Sequence, residues 1–515
     1  MDTPPYPIVV DALRPWEQED SFHDHLNHWM GRAPWIAVSV GAHLLAFFIL
    51  MAVPWNAFRQ EEPTVITADV APDLEDDFVD DLEPEVEPEL DPIEFTDDPV
   101  LVDAELTPDE PTDVLPSENP TPYNSPDSAL APFDAAAFNN EIGAGGGAGG
   151  GTYGGRFGRG GPRGGGRGTH ICLDSGLRWL VDHQDEDGKW DCDGFMKHDP
   201  AGDACDGAGS ATQDVGVSGL ALLALLGDNH TTNEGQYRTA VVKGIRWLHA
   251  VQDPDTGLIG EASSHEFLYG HAIATLALCE AYYFSRSPLQ RRPAQDAVNY
   301  IARARNPYGV WRYDVPATGD NDTSVTGWMV LALASAKSAG LTVDDAAFDA
   351  ALGWFDDVTD PATGRTGYDS FGSLSSRTPA NLEYPREKGE AMTAVALFCR
   401  FFLGQNPDEH EIMEKQADLL ARTPPEWDPE GLGCDMYAWY YGSYAMFQMG
   451  GKHWKAWNAA MKKAILPSQR SDGAAKGSWD PVGPWGYSGG RVYSTALMVL
   501  CLEVYFRYGK VIGSR

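Results

Sequence analysis

Long apolar runs are scarce in this sequence. In 515 residues one stretch, from Trp35 to Trp55, carries no Asp, Glu, Lys or Arg over 21 positions. Basic residues are also few, 37 Lys and Arg against 76 Asp and Glu, for a net charge of −39. That balance excludes a chain that works by neutralising nucleic-acid phosphates. Lys and Arg are missing altogether from residues 61–140, which hold 25 acids and 13 prolines. Such a segment cannot bury enough apolar surface to offset its ordering entropy, and like-charge repulsion keeps it extended.

What is present falls into five parts: a short tail over 1–34, an apolar span over 35–55, an acidic Pro-rich linker over 56–140, a Gly/Arg-rich linker over 141–168, and a body over 169–515. The span is long enough to cross a hydrocarbon core of about 30 Å, with Trp29, Trp35 and Trp55 as interfacial anchors. A net acidic stretch precedes it, unlike the basic start of a cleaved signal peptide, so it reads as an uncleaved anchor. The expected arrangement is a single-pass membrane protein with its large domain outside the cytoplasm. The second linker contains 16 Gly and the arginines Arg156, Arg159, Arg163 and Arg167; beside a polyanion these meet acids or lipid headgroups rather than nucleic acid.

Within the span, Ser39 and His43 share one helix face at i, i+4, and an ionisable residue in a membrane usually faces protein or water. The pair, followed by LEPEVEPELDP at 82–92, resembles the anchor and spacer of TonB-type energy transducers. That resemblance implies coupling to proton-driven motor subunits; a lone tolerated histidine is the alternative.

The body repeats itself six times. Amphipathic segments begin at Ser175, Val241, Ala294, Ala346, Met413 and Trp454; each leads through a Gly-, Asp- or Pro-rich turn into a more apolar segment, at Asp214, Gly270, Thr323, Gly389, Asp435 and Arg491. Amphipathic helices around nearly all-apolar ones predict two concentric layers, an all-α barrel of six helix pairs. The turns carry a motif: Gly176, Trp179, Leu180, Gln184, Gly188 and Trp190, then Gly244, Trp247, Leu248, Gln252 and Gly257, then Gly309 and Trp311, then Gln469, Gly473, Gly477 and Trp479. It resembles the repeat of squalene cyclases, and the resemblance to the terpenoid cyclase/protein prenyltransferase superfamily implies an (α/α)6 toroid. Gln is expected to bond helix-end backbone groups while Trp covers the turn.

For activity the same resemblance cuts both ways. Cyclases of this kind use the central acid of an Asp-x-Asp-Asp-Thr motif; aligned on Thr323, the segment Gly319-Asp320-Asn321-Asp322 puts Asn321 at the proton donor, and an amide is no strong acid. Asp320 and Asp322 remain as an irregular catalytic pair, or Asp322 or Thr323 caps a helix. The prenyltransferase zinc pattern has no match: at Leu432-Gly433-Cys434 the Asp is Leu. Ligand-cavity candidates are Asp214, His265, Glu266, His271, Thr323, Trp328, Glu390, Tyr437, Trp439, Tyr440, Arg491 and Tyr493, at or near the starts of the apolar helices.

The seven cysteines divide by context. Cys279, Cys399 and Cys501 sit in apolar stretches and read as core, while Cys172 and Cys434 are unassigned. Cys192 and Cys205 bracket a loop with His198 and five acids in or beside it; a disulfide leads, with free thiols, zinc or calcium as alternatives. No metal or other cofactor is expected. The leading functional expectation is a membrane-anchored toroid that binds an apolar, isoprenoid-type ligand or a protein or peptide partner. The alternatives are a divergent terpenoid-processing enzyme using Asp320 and Asp322, and a motor-coupled periplasmic module.

Overall fold

A computed structural model describes residues 157–158, 161–162, 166–428 and 430–507. The apolar span, Ser39, His43 and the acidic linker lie outside the described residues. Among the described residues no helix is long and apolar enough to cross a membrane. A two-residue antiparallel pair, β1 (Phe157–Gly158) and β2 (Gly161–Pro162), precedes the helices.

Twelve α-helices follow among the described residues. Six have one buried face: α1 (Gly166–Asp182), α3 (Arg238–Ala250), α5 (Pro288–Ala304), α7 (Ala346–Val358), α9 (Glu411–Leu420) and α11 (Gly451–Ile465). They alternate with six buried nearly all round: α2 (Asp214–Gly227), α4 (Phe267–Ser285), α6 (Thr323–Ser338), α8 (Ala391–Phe402), α10 (Met436–Met449) and α12 (Gly486–Leu502). A helix apolar on every side has to be enclosed. Accordingly α2 packs on α4, α4 on α6, and so on to α12, which returns to α2; α1 lies against both α12 and α2. The inner helices thus close into a six-membered ring inside a layer of outer helices, an α/α toroid. The first outer helix starts earlier than the periodicity suggested, at Gly166 inside the Gly/Arg-rich stretch, because Thr169 and Leu173 extend its buried stripe toward Leu177 and Leu180. Helix α12 breaks at Gly490, whose φ of 63° is left-handed, so its regular part begins at Arg491.

The repeated turn residues act as clamps between neighbouring pairs. Gln184 Nε2 donates to Gly188 O and to Ala240 O on α3, Gln252 Nε2 to Gly257 O and to Pro293 O on α5, and Gln469 Nε2 to Gly477 O and to Cys172 O on α1. Each ties its own turn to the next outer helix, and the last ties the end of the body to its beginning. The indole N–H groups of Trp190, Trp311 and Trp479 donate at 2.7–2.9 Å to carbonyls at the ends of the preceding outer helices. Each bond contributes about 0.5–1.5 kcal/mol. At Gly188 and Gly257, φ is +107° and +77°, and a Cβ would overlap the backbone carbonyl of Lys243 or Asp296; the close approach of turn to helix requires glycine there.

The ring is filled across its middle. Trp328 on α6 stacks on Tyr440 of α10 at 5.5 Å with planes 14° apart, and Tyr441 meets Trp328 edge-on at 5.3 Å. Toward the C-terminal ends of the inner helices, the fully buried Arg507 joins Glu280 on α4 (2.7 Å), Glu503 after α12 (2.9 Å) and Leu223 O on α2 (2.6 Å). Cys279, Cys399 and Cys501 lie buried in α4, α8 and α12.

Candidate functional site

All outer-to-inner connections emerge at one end of the ring, where the inner helices begin, and they include the long segments 183–213 and 359–390. The opposite connections are short, down to Gly450 alone between α10 and α11. Long connections on a rigid scaffold are where binding and catalytic groups collect. At this mouth the inner helices begin with, or directly follow, an acid in five of six cases: Asp214, Glu266, Asp322, Glu390 and Asp435; the sixth has Arg491. Carboxylates suit helix N-termini because unsatisfied N–H groups and the helix dipole favour negative charge there.

Asp214, Glu390 and Asp435 have a basic side chain within 4 Å; Glu266, half-buried, and Asp322, fully buried, have none among the described residues. Asp214 accepts from Lys189 Nζ and the Cys192 N–H, both at 2.8 Å. Glu390 is held by the Arg365 guanidinium at 2.7 Å, and Arg377 lies 3.9 Å from Asp435. Arg491 is buried between Asp206, Asp480 and the Ser478 hydroxyl. Asp322 has no salt-bridging cation within 4 Å among the described residues. Its side chain is fully buried, Oδ1 caps α6 by accepting the Val325 N–H at 2.8 Å, and Oδ2 lies 3.5 Å from the Tyr368 hydroxyl. Burial pushes this carboxyl up to about 7, against the smaller stabilising effects of the Val325 N–H and the Arg312 charge.

Around Asp322 gathers a hydroxyl chain. Tyr368 shares a short hydrogen bond with Tyr313, whose half-buried ring meets the exposed His265 at 3.9 Å and Tyr269 at 6.1 Å. Arg312 lies over the Tyr313 and Tyr368 rings and faces Asp369 at 3.7 Å. On the axial side, the Ser324 and Tyr437 hydroxyls join α6 to α10 at 2.8 Å. Burial raises the phenols of Tyr269, Tyr313, Tyr368 and Tyr437, and the nearby Asp322 charge adds to this, so all four are neutral donors. The arrangement is a buried acid connected through two phenols to a half-buried aromatic rim.

Several expected residues sit elsewhere. Asp320 is exposed while Asp322 is buried, so the two do not share one buried environment. Asn321 holds the preceding turn, its Oδ1 accepting the Val310 N–H at 3.0 Å. His271 faces the outer layer: its Nδ1 accepts the Ile259 N–H and its Nε2 lies 3.2 Å from Ala297 O on α5. Thr323 likewise bonds Gly367 O and accepts from the Trp354 indole. Trp439 packs near Trp427, and Tyr493 is half-buried beside Gly489. Trp328, Tyr437 and Tyr440 do reach the axis, but they fill it.

Cys192 and Cys205 are free, buried thiols rather than a disulfide. The Cys192 thiol donates toward the Ser488 and Gly489 carbonyls, whereas the Cys205 thiol lies against Asp199 at 3.5 Å. The two face different walls of the loop. The periodicity did not single out Tyr269, Tyr313, Tyr368 or Ser324. Repeat register holds a signal for two of them: Tyr313 stands two residues after Trp311, and Tyr368 two after Thr366, the residue that follows Gly364 at the same spacing.

No protein-family model matches this chain, and no curated protein matches it. Among solved structures, an α-1,6-mannanase from Salegentibacter sp. is similar with a TM-score of 0.45 and 11% identity, covering 65% of this chain and 98% of that one. A novel α-amylase from Clostridium perfringens matches at 0.45 and 12% identity, over 66% and 99%. The type II terpene cyclase MstE from Scytonema matches at 0.40 and 15%, over 65% and 97%.

Proposed function

We propose that the toroid is a binding module that receives an apolar or aromatic group of a ligand or partner at its tyrosine-lined mouth, held at the outer face of a membrane by the span at 35–55. The filled axis carries this reading. Trp328 stacked on Tyr440, and Ser324 bonded to Tyr437, bridge α6 to α10, where an enclosing lipid site needs an open apolar chamber. What is left for a ligand is the rim of Tyr269, Tyr313 and His265. The test is mass spectrometry of organic extracts from the purified full chain. A stoichiometric long-chain isoprenoid would overturn the reading; its absence, together with release of a compact fragment beginning near residue 166 by protease added to intact spheroplasts, supports both parts of it.

A second reading has its own observation. Asp322 is an acid pushed up to about 7 and joined to the rim by Tyr368 and Tyr313, as a general acid working at neutral pH requires. Product formed from squalene or a shorter isoprenoid by the native chain, and lost in Asp322→Asn, would favour this enzyme.

A further inference from the structure

The loop between α1 and α2 holds a group of side chains that the mouth does not use. His183 follows α1, and Asp199 and Cys205 come from the loop; one ligand atom from each lies within 4.8 Å of the others. Nε2 of His183 is 2.8 Å from Asp199 Oδ1, and Cys205 Sγ is 3.5 Å from the same oxygen. All three residues are withdrawn from solvent; the Asp199 side chain is 1% exposed.

Two of the three donors are aimed by neighbours. His183 Nδ1 lies 2.7 Å from Trp179 O; a carbonyl only accepts, so Nδ1 carries the proton and in the neutral ring Nε2 presents its lone pair. The ring is pinned by stacking on Trp179 at 4.0 Å and by the Phe195 edge at 5.9 Å. The second carboxylate oxygen of Asp199 accepts the Cys205 N–H at 2.7 Å, which turns Oδ1 toward the imidazole and the sulfur. Oriented ligands of this kind are the outer-shell signature of a metal site.

We propose that His183 Nε2, Asp199 Oδ1 and the Cys205 thiolate bind one zinc ion, with water in the fourth position. A nitrogen, an oxygen and a sulfur suit zinc and exclude calcium and magnesium, which take oxygen. Binding releases the thiol proton to solvent, and the thiolate and carboxylate then balance the two positive charges. Tetrahedral zinc spaces such ligand atoms about 3.3–3.7 Å apart given its bond lengths. The Sγ–Oδ1 separation already fits, and the Nε2–Oδ1 pair opens by about 0.5 Å. The neighbouring trio Asp191, Asp193 and Asp214 is no rival, because Lys189 and Lys197 already approach Asp191 and Asp214 at 2.7–3.3 Å.

The place suggests what the ion does. Trp179, stacked on His183, donates its indole N–H to Ala474 O at 3.0 Å, and Asp203 in the same loop accepts the Ala474 N–H at 3.0 Å. The ion would fasten the first loop to α1 where the first and last helix pairs meet, the seam that closes the ring. This inference does not depend on what the mouth binds.

The test uses the full chain, stripped with chelator and titrated with Co²⁺. The expected result is a thiolate-to-cobalt charge-transfer band that saturates at one ion per chain and is displaced by Zn²⁺. Cys205→Ser should abolish the band, His183→Gln and Asp199→Asn should weaken binding about 10-fold or more, and Cys192→Ser should leave it unchanged. Absence of the band in the native chain, or its persistence in Cys205→Ser, overturns the proposal. Should Cys205→Ser fail to fold, zinc-edge X-ray absorption of the native chain decides: one sulfur among the nearest scatterers is required, and a sulfur-free shell refutes it.

Discussion

Replacing Asp322 by Asn should stabilise this protein at pH 8 and do almost nothing at pH 4. In an unfolded chain the carboxyl titrates near 3.9, whereas burial in the fold pushes it up to about 7. Between those values the native state keeps a proton that the unfolded state has released, so stability falls as pH rises. The slope is about 1.4 kcal/mol per pH unit. The accumulated cost reaches on the order of 4 kcal/mol by pH 7 and then levels off, since above that both states are ionised. Asn is neutral throughout, has nearly the same shape, and is as good an N-cap as Asp, so the bond from the Val325 N–H survives. Comparing midpoints of urea denaturation, followed by tryptophan fluorescence, for both proteins at half-unit steps from pH 4 to 8 isolates the one group, because all others titrate in both. A difference that stays flat with pH, or a variant less stable than the native chain at pH 8, would refute the claim that this buried carboxyl lacks a compensating charge.

Three further outcomes follow from the packing. His271 is buried and its imidazole is pushed down to about 3, chiefly by burial, so the unfolded state takes up its proton first as pH falls. Stability is lost from about 6.5 down to about 3, on the order of 5 kcal/mol in total, and His271→Gln should flatten that acid limb in denaturation measured over this range. Gly257→Ala should cost clearly more than Gly202→Ala: both have positive φ, worth about 1–2 kcal/mol to a side chain, but only at Gly257 would the new Cβ overlap a backbone carbonyl, while at Gly202 nothing lies within 4 Å. Equal losses in thermal denaturation would disprove the close approach of turn and helix. Arg507→Met should destabilise by about 3–5 kcal/mol, since it removes the guanidinium from the buried Glu280 and Glu503 carboxylates; a neutral result would mean those carboxyls are held some other way.

The helix pairs and their two layers were legible in the sequence because burial leaves a periodic mark. Outer helices carry an apolar stripe, while inner helices such as the one from Thr323 are apolar throughout, and only a second layer can cover such a segment. The turn residues were equally legible, since Gln184, Gln252 and Gln469 each precede, by four, five and eight residues, a glycine whose geometry admits no side chain. Where the side chains of the inner helices meet across the axis was not legible. That depends on which helix packs beside which: Trp328 reaches Tyr440 because ring closure sets α6 and α10 on either side of α8, a relation between residues more than a hundred positions apart. The same holds for Asp322, whose neighbours Tyr368 and Tyr313 come from two different turns, and for His183, which no spacing rule ties to Asp199 and Cys205. Local pattern fixes what must be buried; the closed ring alone decides which polar groups are buried together, and so which of them keep a proton, share a hydrogen bond or converge on one point.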